Sequence, residues 1–268
     1  MGLNLTIREV LYLQTKPGLL LRALFASFVL VSIVAIIVAQ IFPLPALVRV
    51  GIMLMAITPG APLIYQKVSK MKWNSALAAS YQVAVSFLAI VFLPFITVLL
   101  SYLYPTEGVI TPLQVFKQVL SIQIIPLAIG LSFRAGIPDL ADDLQDFVMR
   151  VGSGMLLALS VLILVKGLDA VLEAGILPIL AIALIAVASL ASGHFLGGHD
   201  LETRATLAIA NATRNAGLAL VISVLNFTKT EILPTVIVYA LISAFAVVIY
   251  NRHLRSSLSK VSLDSANQ

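Results

Sequence analysis

The sequence predicts an all-α integral membrane protein, a polytopic helical bundle, and three observations carry that expectation. Of 268 residues, 60% are hydrophobic and 11% charged, with a mean hydropathy of +1.06; a soluble domain carries about 25% charged residues. The apolar residues run on without alternation, as in VLVSIVAIIVA at 29–39, which suits spanning helices and not the in–out pattern of barrel strands. The few charges stand between these runs. A soluble enzyme, a nucleic-acid binder and a disordered chain are thereby excluded. The net charge of +5 and the pI near 9.6 come from basic residues that mark topology, so no nucleic-acid partner is expected. The absence of cysteine excludes disulfides and thiolate metal sites.

Residues 1–17 carry Arg8, Glu9 and Lys16 and read as a cytoplasmic N-terminal segment. The apolar run that follows, 19–42, exceeds a signal-peptide core of ~7–15 residues and lacks a cleavage site, so it reads as a span. A crossing needs about 20 apolar residues to cover about 30 Å of hydrocarbon. Eight segments qualify: 18–42, 46–67, 75–103, 112–133, 150–167, 176–196, 205–227 and 232–250. Lys67, Lys70 and Lys72 close the second as a basic stop signal, and Arg49 near its other end is expected to snorkel. Trp73, Tyr102 and Tyr104 suit interfacial anchoring of the third. Between the fourth and fifth, PDLADDLQD at 138–146 reads as a solvated cytoplasmic loop. His194 ends the sixth as an interfacial histidine, and neither His199 nor His253 makes a metal spacing with it. Residues 251–268 form a cytoplasmic tail. With both termini inside, twelve Lys/Arg face the cytoplasm and three, Lys117, Lys166 and Lys229, face outward. That is the positive-inside asymmetry, expected here in a bacterial-type plasma membrane with the lipid bilayer as partner.

Two spans are interrupted. Pro59, Gly60 and Pro62 break the second (ITPGAPLIY), and a cluster of Asn211, Thr213, Arg214, Asn215 and Gly217 breaks the seventh (ANATRNAGLAL). Each is the middle of a helix triplet, 18–103 and 176–250, and the triplets start from opposite sides. This pattern suggests an inverted-repeat transporter. The helices 112–133 and 150–167 have no counterpart before residue 18, so a complete 5+5 repeat would need two more helices there.

PGAP at 59–62, TRNAGLAL at 213–220 and, more loosely, IIPLAIGLSFR at 124–134 make nearly the whole chain resemble the bile acid:sodium symporter family. The resemblance implies a ten-helix fold, here without its first one to two helices, in which two broken helices cross at the membrane centre. It implies a core domain of 18–103 plus 176–250 and a panel domain of 112–167, with alternating-access transport of a small organic anion. It also implies sodium coupling, and there the residues depart from the family. The family's Ser–Asn pair falls on Ile64 and Tyr65, its hydroxyl ligands on Ala78 and Gln82, its carboxylate on Ala210 and a glutamine on Arg214. Sodium is a hard cation that takes oxygen ligands, usually with a carboxylate, yet all twelve acidic residues lie in loops, ends or tails. These substitutions speak against a sodium site, and no other metal or cofactor is expected.

Arg214 lies nine residues into its helix, about 14 Å deep at about 1.5 Å per residue. An arginine there costs about 2.5–3.5 kcal/mol on insertion scales and usually faces a cavity. Its guanidinium is expected to stand where relatives bind sodium, holding the crossover together and attracting an anion; a purely structural role, bonding carbonyls freed by the breaks, is the alternative. Half-helix N-termini near Pro59 and Asn211 would add positive partial charge. Asn211 and Asn215, at i and i+4, would address one face, and Thr58, Thr213, Gln82 and Ser27 would complete a polar lining. Rival readings are an auxin-carrier-like efflux protein or channel and an inactive, truncated transporter. An intramembrane protease would use Ser153 in VGSGM with His194 as base; Val151 stands where its motif wants glycine, and Gly152 and Gly154 more simply permit close helix packing. The oligomeric state is left open.

Overall fold

The computed structural model describes residues 2–103, 111–227 and 232–266, and all regular structure among them is helical. In chain order the helices are α1 (Ile7–Leu11), α2 (Pro17–Ile41), α3 (Ala46–Ile57), α4 (Ile64–Lys70), α5 (Ser75–Leu103), α6 (Pro112–Gly136), α7 (Pro138–Lys166), α8 (Leu168–Ala174), α9 (Ile176–Leu196), α10 (Leu201–Ala212), α11 (Ala216–Asn226) and α12 (Ile232–Ala266). Seven of these stretches are long and apolar enough to cross a membrane, with α10 and α11 counted as one, and the short apolar α3 adds to them. The chain is a multi-pass membrane protein.

The helices begin where the sequence supplies starts. Pro17, Pro112 and Pro138 stand in first turns, where a backbone N–H has no partner to lose. Thr6, Thr111, Asp200 and Asn215 cap with a side-chain oxygen, and Thr6 with Glu9 closes a capping box. Asp200 accepts from the Thr203 amide and hydroxyl at 2.8 and 2.6 Å, and those bonds hold its carboxyl below the usual carboxylate range.

The buried core lies among α2, α3, α5, α9, α10 and α12. One close seam in it is the α9–α10 hairpin: a Cβ on Gly193 would come within 2.4 Å of the Leu207 carbonyl and 2.6 Å of the Ala208 Cα. Only glycine lets these backbones approach so closely. The helix α7 is the opposite case, with no buried residue in its most apolar stretch. Two helices widen locally into π-turns, at Phe25–Leu30 in α2 and Leu120–Ile124 in α6. Pro126, just past the second, cannot donate to the carbonyl four residues back.

Several expectations are corrected. Residues 138–146 are not a loop but the first turns of α7, with Pro138 at its start, Asp139 in its first turn and Asp142 paired with Arg134. Acidic residues suit the positive end of a helix dipole. The first broken span runs on to Lys70, the second starts at Leu201, and residues 251–266 prolong α12 where a tail was expected. That extension explains Trp73, which is not a lipid anchor. Its ring is buried, Nε1 donates to Asn251 Oδ1 at 2.7 Å, and the Arg255 guanidinium lies 4.1 Å from its centroid. Tyr102 is 83% exposed, as an anchor should be; Tyr104 and Lys229 lie outside the described residues. The N-terminal segment is tied down by buried Leu5 and Leu13, and the Leu13 amide donates to Ser80 Oγ at 2.8 Å. Arg49 donates to the Leu44 carbonyl at 3.2 Å, and His194 Nδ1 meets the Tyr250 hydroxyl at 2.6 Å.

The contrast between glycines is testable. Gly193→Ala is expected to cost ~1–3 kcal/mol through backbone overlap and to lower the apparent melting temperature in detergent. Gly152→Ala, whose Cβ would meet nothing within 4 Å, is expected to leave that temperature unchanged or raise it.

Candidate functional site

The two helix breaks have different causes. The helix α3 ends because Pro59 has no N–H to donate and pushes Thr58 out of helical geometry; Gly60 then turns at φ +80°, with Val85 where a Cβ would stand. The second break holds no proline. Thr213, Arg214 and Asn215 leave the helix there, and their short or polar side chains bond the backbone outside helical geometry. Thr58 and Thr213 are the C-caps of α3 and α10, and each hydroxyl donates to the carbonyl four residues back, Leu54 O at 2.8 Å and Ile209 O at 2.7 Å. The breaks meet directly: the Asn215 amide donates to the Thr58 carbonyl at 2.8 Å.

This geometry revises the sequence reading of the second break. Gly217 is not a breaking residue but lies in the first turn of α11, which Asn215 Oδ1 caps by accepting from the Leu218 amide at 3.0 Å. The half-helix N-termini lie at Ile64 and Ala216, not at Pro59 and Asn211; Asn211 is in the last turn of α10. Asn211 and Asn215 do not share a face, because the break between them cancels the i, i+4 relation. The Asn211 amide donates to Ser189 O at 2.8 Å and Ser192 Oγ at 2.7 Å, whereas Asn215 Nδ2 donates to Gln123 Oε1 at 3.1 Å and Gly60 O at 3.5 Å.

Arg214 is only 5% exposed. Its NH1 group donates to the Ser27 carbonyl at 3.1 Å and the Ser27 hydroxyl at 3.5 Å, and its NH2 group to Asn211 Oδ1 at 3.5 Å. Ser27 lies in the π-turn of α2, where altered helical bonding leaves a carbonyl open to another donor. The Tyr81 hydroxyl completes the ring, with Ser27 Oγ at 2.9 Å and Asn211 Oδ1 at 3.4 Å as alternative acceptors for its one proton. No carboxylate pairs with Arg214 among the described residues. The guanidinium therefore occupies a cradle of hydroxyl, carbonyl and amide oxygens. With a guanidinium already bonded to these oxygens and no carboxylate paired there among the described residues, they do not fit a sodium ion.

A cavity of about 330 Å³ opens beside the crossing. One wall carries Pro62, Lys67, Thr213, Arg214, Asn215 and Gly217; another is α7, through Met149, Gly152, Ser153 and Leu156. Thr58, Pro59, Gly60, Ser27, Gln82 and Asn211 do not line it, and are held in the protein behind it. Gln82 faces α4, accepting from the Tyr65 amide at 3.3 Å. Two site residues escaped the sequence reading. Gln123 sits in the π-turn of α6 and holds Asn215; the run IIPLAIG beside it was the available signal. Lys67 was read only as a stop signal, though it stands one turn past the first break. Ser153 lines the cavity, while His194 is hydrogen-bonded to Tyr250; no hydrogen bond joins the two as a protease pair.

Two hydrogen-bonded helix breaks inside a helical membrane bundle, beside a cavity, define a membrane-transporter type of architecture. A family model for the Sodium Bile acid symporter family matches residues 1–174, and the chain belongs to that family. Its members are transporters rather than enzymes. The match includes the first break and α7 but ends before the second. Among proteins with curated descriptions, none matches the chain.

Asn215 serves two helices at once. Asn215→Ala is expected to cost about 1–2 kcal/mol through the lost cap, and Asn215→Ser, which restores a capping oxygen, to recover most of it. Thermal unfolding in detergent measures both.

Proposed function

We propose that the protein is a secondary transporter of a small organic anion, working by alternating access without sodium. The observation that carries this reading is the cavity itself, where the two breaks meet on one side and α7 stands on the other. In this reading 18–103 and 176–250 form a core that moves against a panel of 112–167, and the substrate sits between them. Positive character comes from Lys67, from Arg214 and from the N-termini of α4 and α11, which point partial positive charge toward the crossing. No acidic side chain lines the cavity among the described residues. In this reading both termini are cytoplasmic, which the excess of basic residues on that side supports.

Arg214 acts as a tethered cation. Where relatives would recruit an ion, its guanidinium is already bonded to α2 and α10, and arginine keeps its charge at any physiological pH. The crossing is then assembled permanently, so substrate binding does not wait for an ion. Arg214→Gln removes the charge but leaves Ser27, Asn211 and Tyr81 in place.

Uptake into proteoliposomes tests the reading, using carboxylates and sulfonates chosen by a thermal-shift screen. Uptake is expected to be the same with sodium or choline outside; stimulation of about tenfold by a sodium gradient overturns the sodium-free mechanism. Arg214→Gln is expected to lower uptake by at least about tenfold in folded protein. Gly152→Leu, which fills open space on the α7 wall, is expected to block uptake while leaving the melting temperature within a few degrees of wild type. Unimpaired uptake by Gly152→Leu removes the cavity from the transport path.

A further inference from the structure

Lys67 differs from the basic residues that follow it. Lys70 and Lys72 are exposed, whereas Lys67 is half-buried and lines the cavity. Its Nζ donates to Thr213 Oγ1 at 3.3 Å, and that hydroxyl donates in turn to Ile209 O. An ammonium has three donors, so this one contact leaves donor capacity at the cavity wall. Arg214 has the reverse disposition: its terminal nitrogens bond Ser27 and Asn211, which do not line the cavity. Of the two cations on the cavity wall, Lys67 is the more exposed and the one whose terminal nitrogen keeps donors for a ligand. The facing wall, Met149, Gly152, Ser153 and Leu156, is one face of α7 at i, i+3, i+4 and i+7, apolar except for one hydroxyl. At about 330 Å³, the space is near the lower end of the ~300–1,000 Å³ typical of small-molecule sites.

We propose that Lys67 selects the substrate by its charge, binding the head of a compact, benzoate-sized organic monoanion whose apolar body packs on α7. This deepens the transport reading and rests on it. One negative charge on the ligand neutralises the Lys67 ammonium. A neutral isostere leaves that ammonium unpaired, and a dianion sets its second charge against the mostly apolar face of α7; both are costly away from water.

Two measurements on the purified full chain separate this proposal from the transport reading. In the first, lysines are acetylated with acetic anhydride in the presence of benzoate, benzamide or phthalate, and labelling is read by mass spectrometry. Benzoate is expected to protect Lys67 relative to Lys70 and Lys72, and benzamide is not. Equal labelling of Lys67 with and without benzoate overturns the proposal, whether or not the protein transports. In the second, radiolabelled benzoate uptake is followed in proteoliposomes. Lys67→Gln is expected to raise KM roughly 10- to 100-fold with kcat little changed, and to erase the preference for benzoate over phthalate. Lys67→Arg is expected to keep that preference. An unchanged KM in Lys67→Gln overturns the proposal. Protection of Lys67 in a wild-type protein that takes up no benzoate overturns the transport reading and leaves the binding site standing.

Discussion

The site depends on one constraint, the satisfaction of backbone groups released when two helices stop inside the bundle. A helix end exposes unpaired N–H and C=O groups, and hydrocarbon offers them no partner. Here the two breaks answer each other, with the Asn215 amide on the Thr58 carbonyl. The Thr58 hydroxyl bonds the Leu54 carbonyl, and Asn215 caps α11. Irregular backbone at this depth is tolerated because it is buried in protein and borders a cavity. Take away the crossing, and neither the cavity nor the position of Arg214 has a physical basis.

The two π-turns belong to the same solution. Ser27 lies in one and Gln123 in the other, and these residues reach Arg214 and Asn215 respectively. Widening a helical turn releases backbone bonding capacity, which α2 gives to a guanidinium.

The site divides its positive charge between two residues of different chemistry. Arginine, with a planar fork of donors and a fixed charge, holds several oxygens on two helices at once. Lysine, a compact ammonium on a flexible stem, stands at the cavity with a single hydroxyl contact. A group tied to three oxygens on two residues is suited to positioning, and a group with one contact is suited to exchange between partners. Arg214 is buried without a carboxylate among the described residues: its terminal nitrogens are met by neutral oxygens of Ser27 and Asn211, so no second charge has to be desolvated there.

The sequence by itself determined the class of molecule, the approximate placement of its spans and the existence of two breaks. These follow from local quantities, namely run length, hydropathy and the chemistry of proline, and the family match agreed with them. Helix ends were less legible: the polarity of the acidic run at 138–146 suits a solvated loop, yet the run forms the first turns of α7. What lines the cavity was decided only by the tertiary structure. Whether Thr58, Gln82 or Ser27 faces a ligand or a neighbouring helix depends on how segments far apart in the chain cross, and so does the recruitment of Lys67 and Gln123. The rotation of a broken helix is set by its partner, not by its own residues, and for that reason Asn211 and Asn215, four positions apart, point to opposite sides of the crossing.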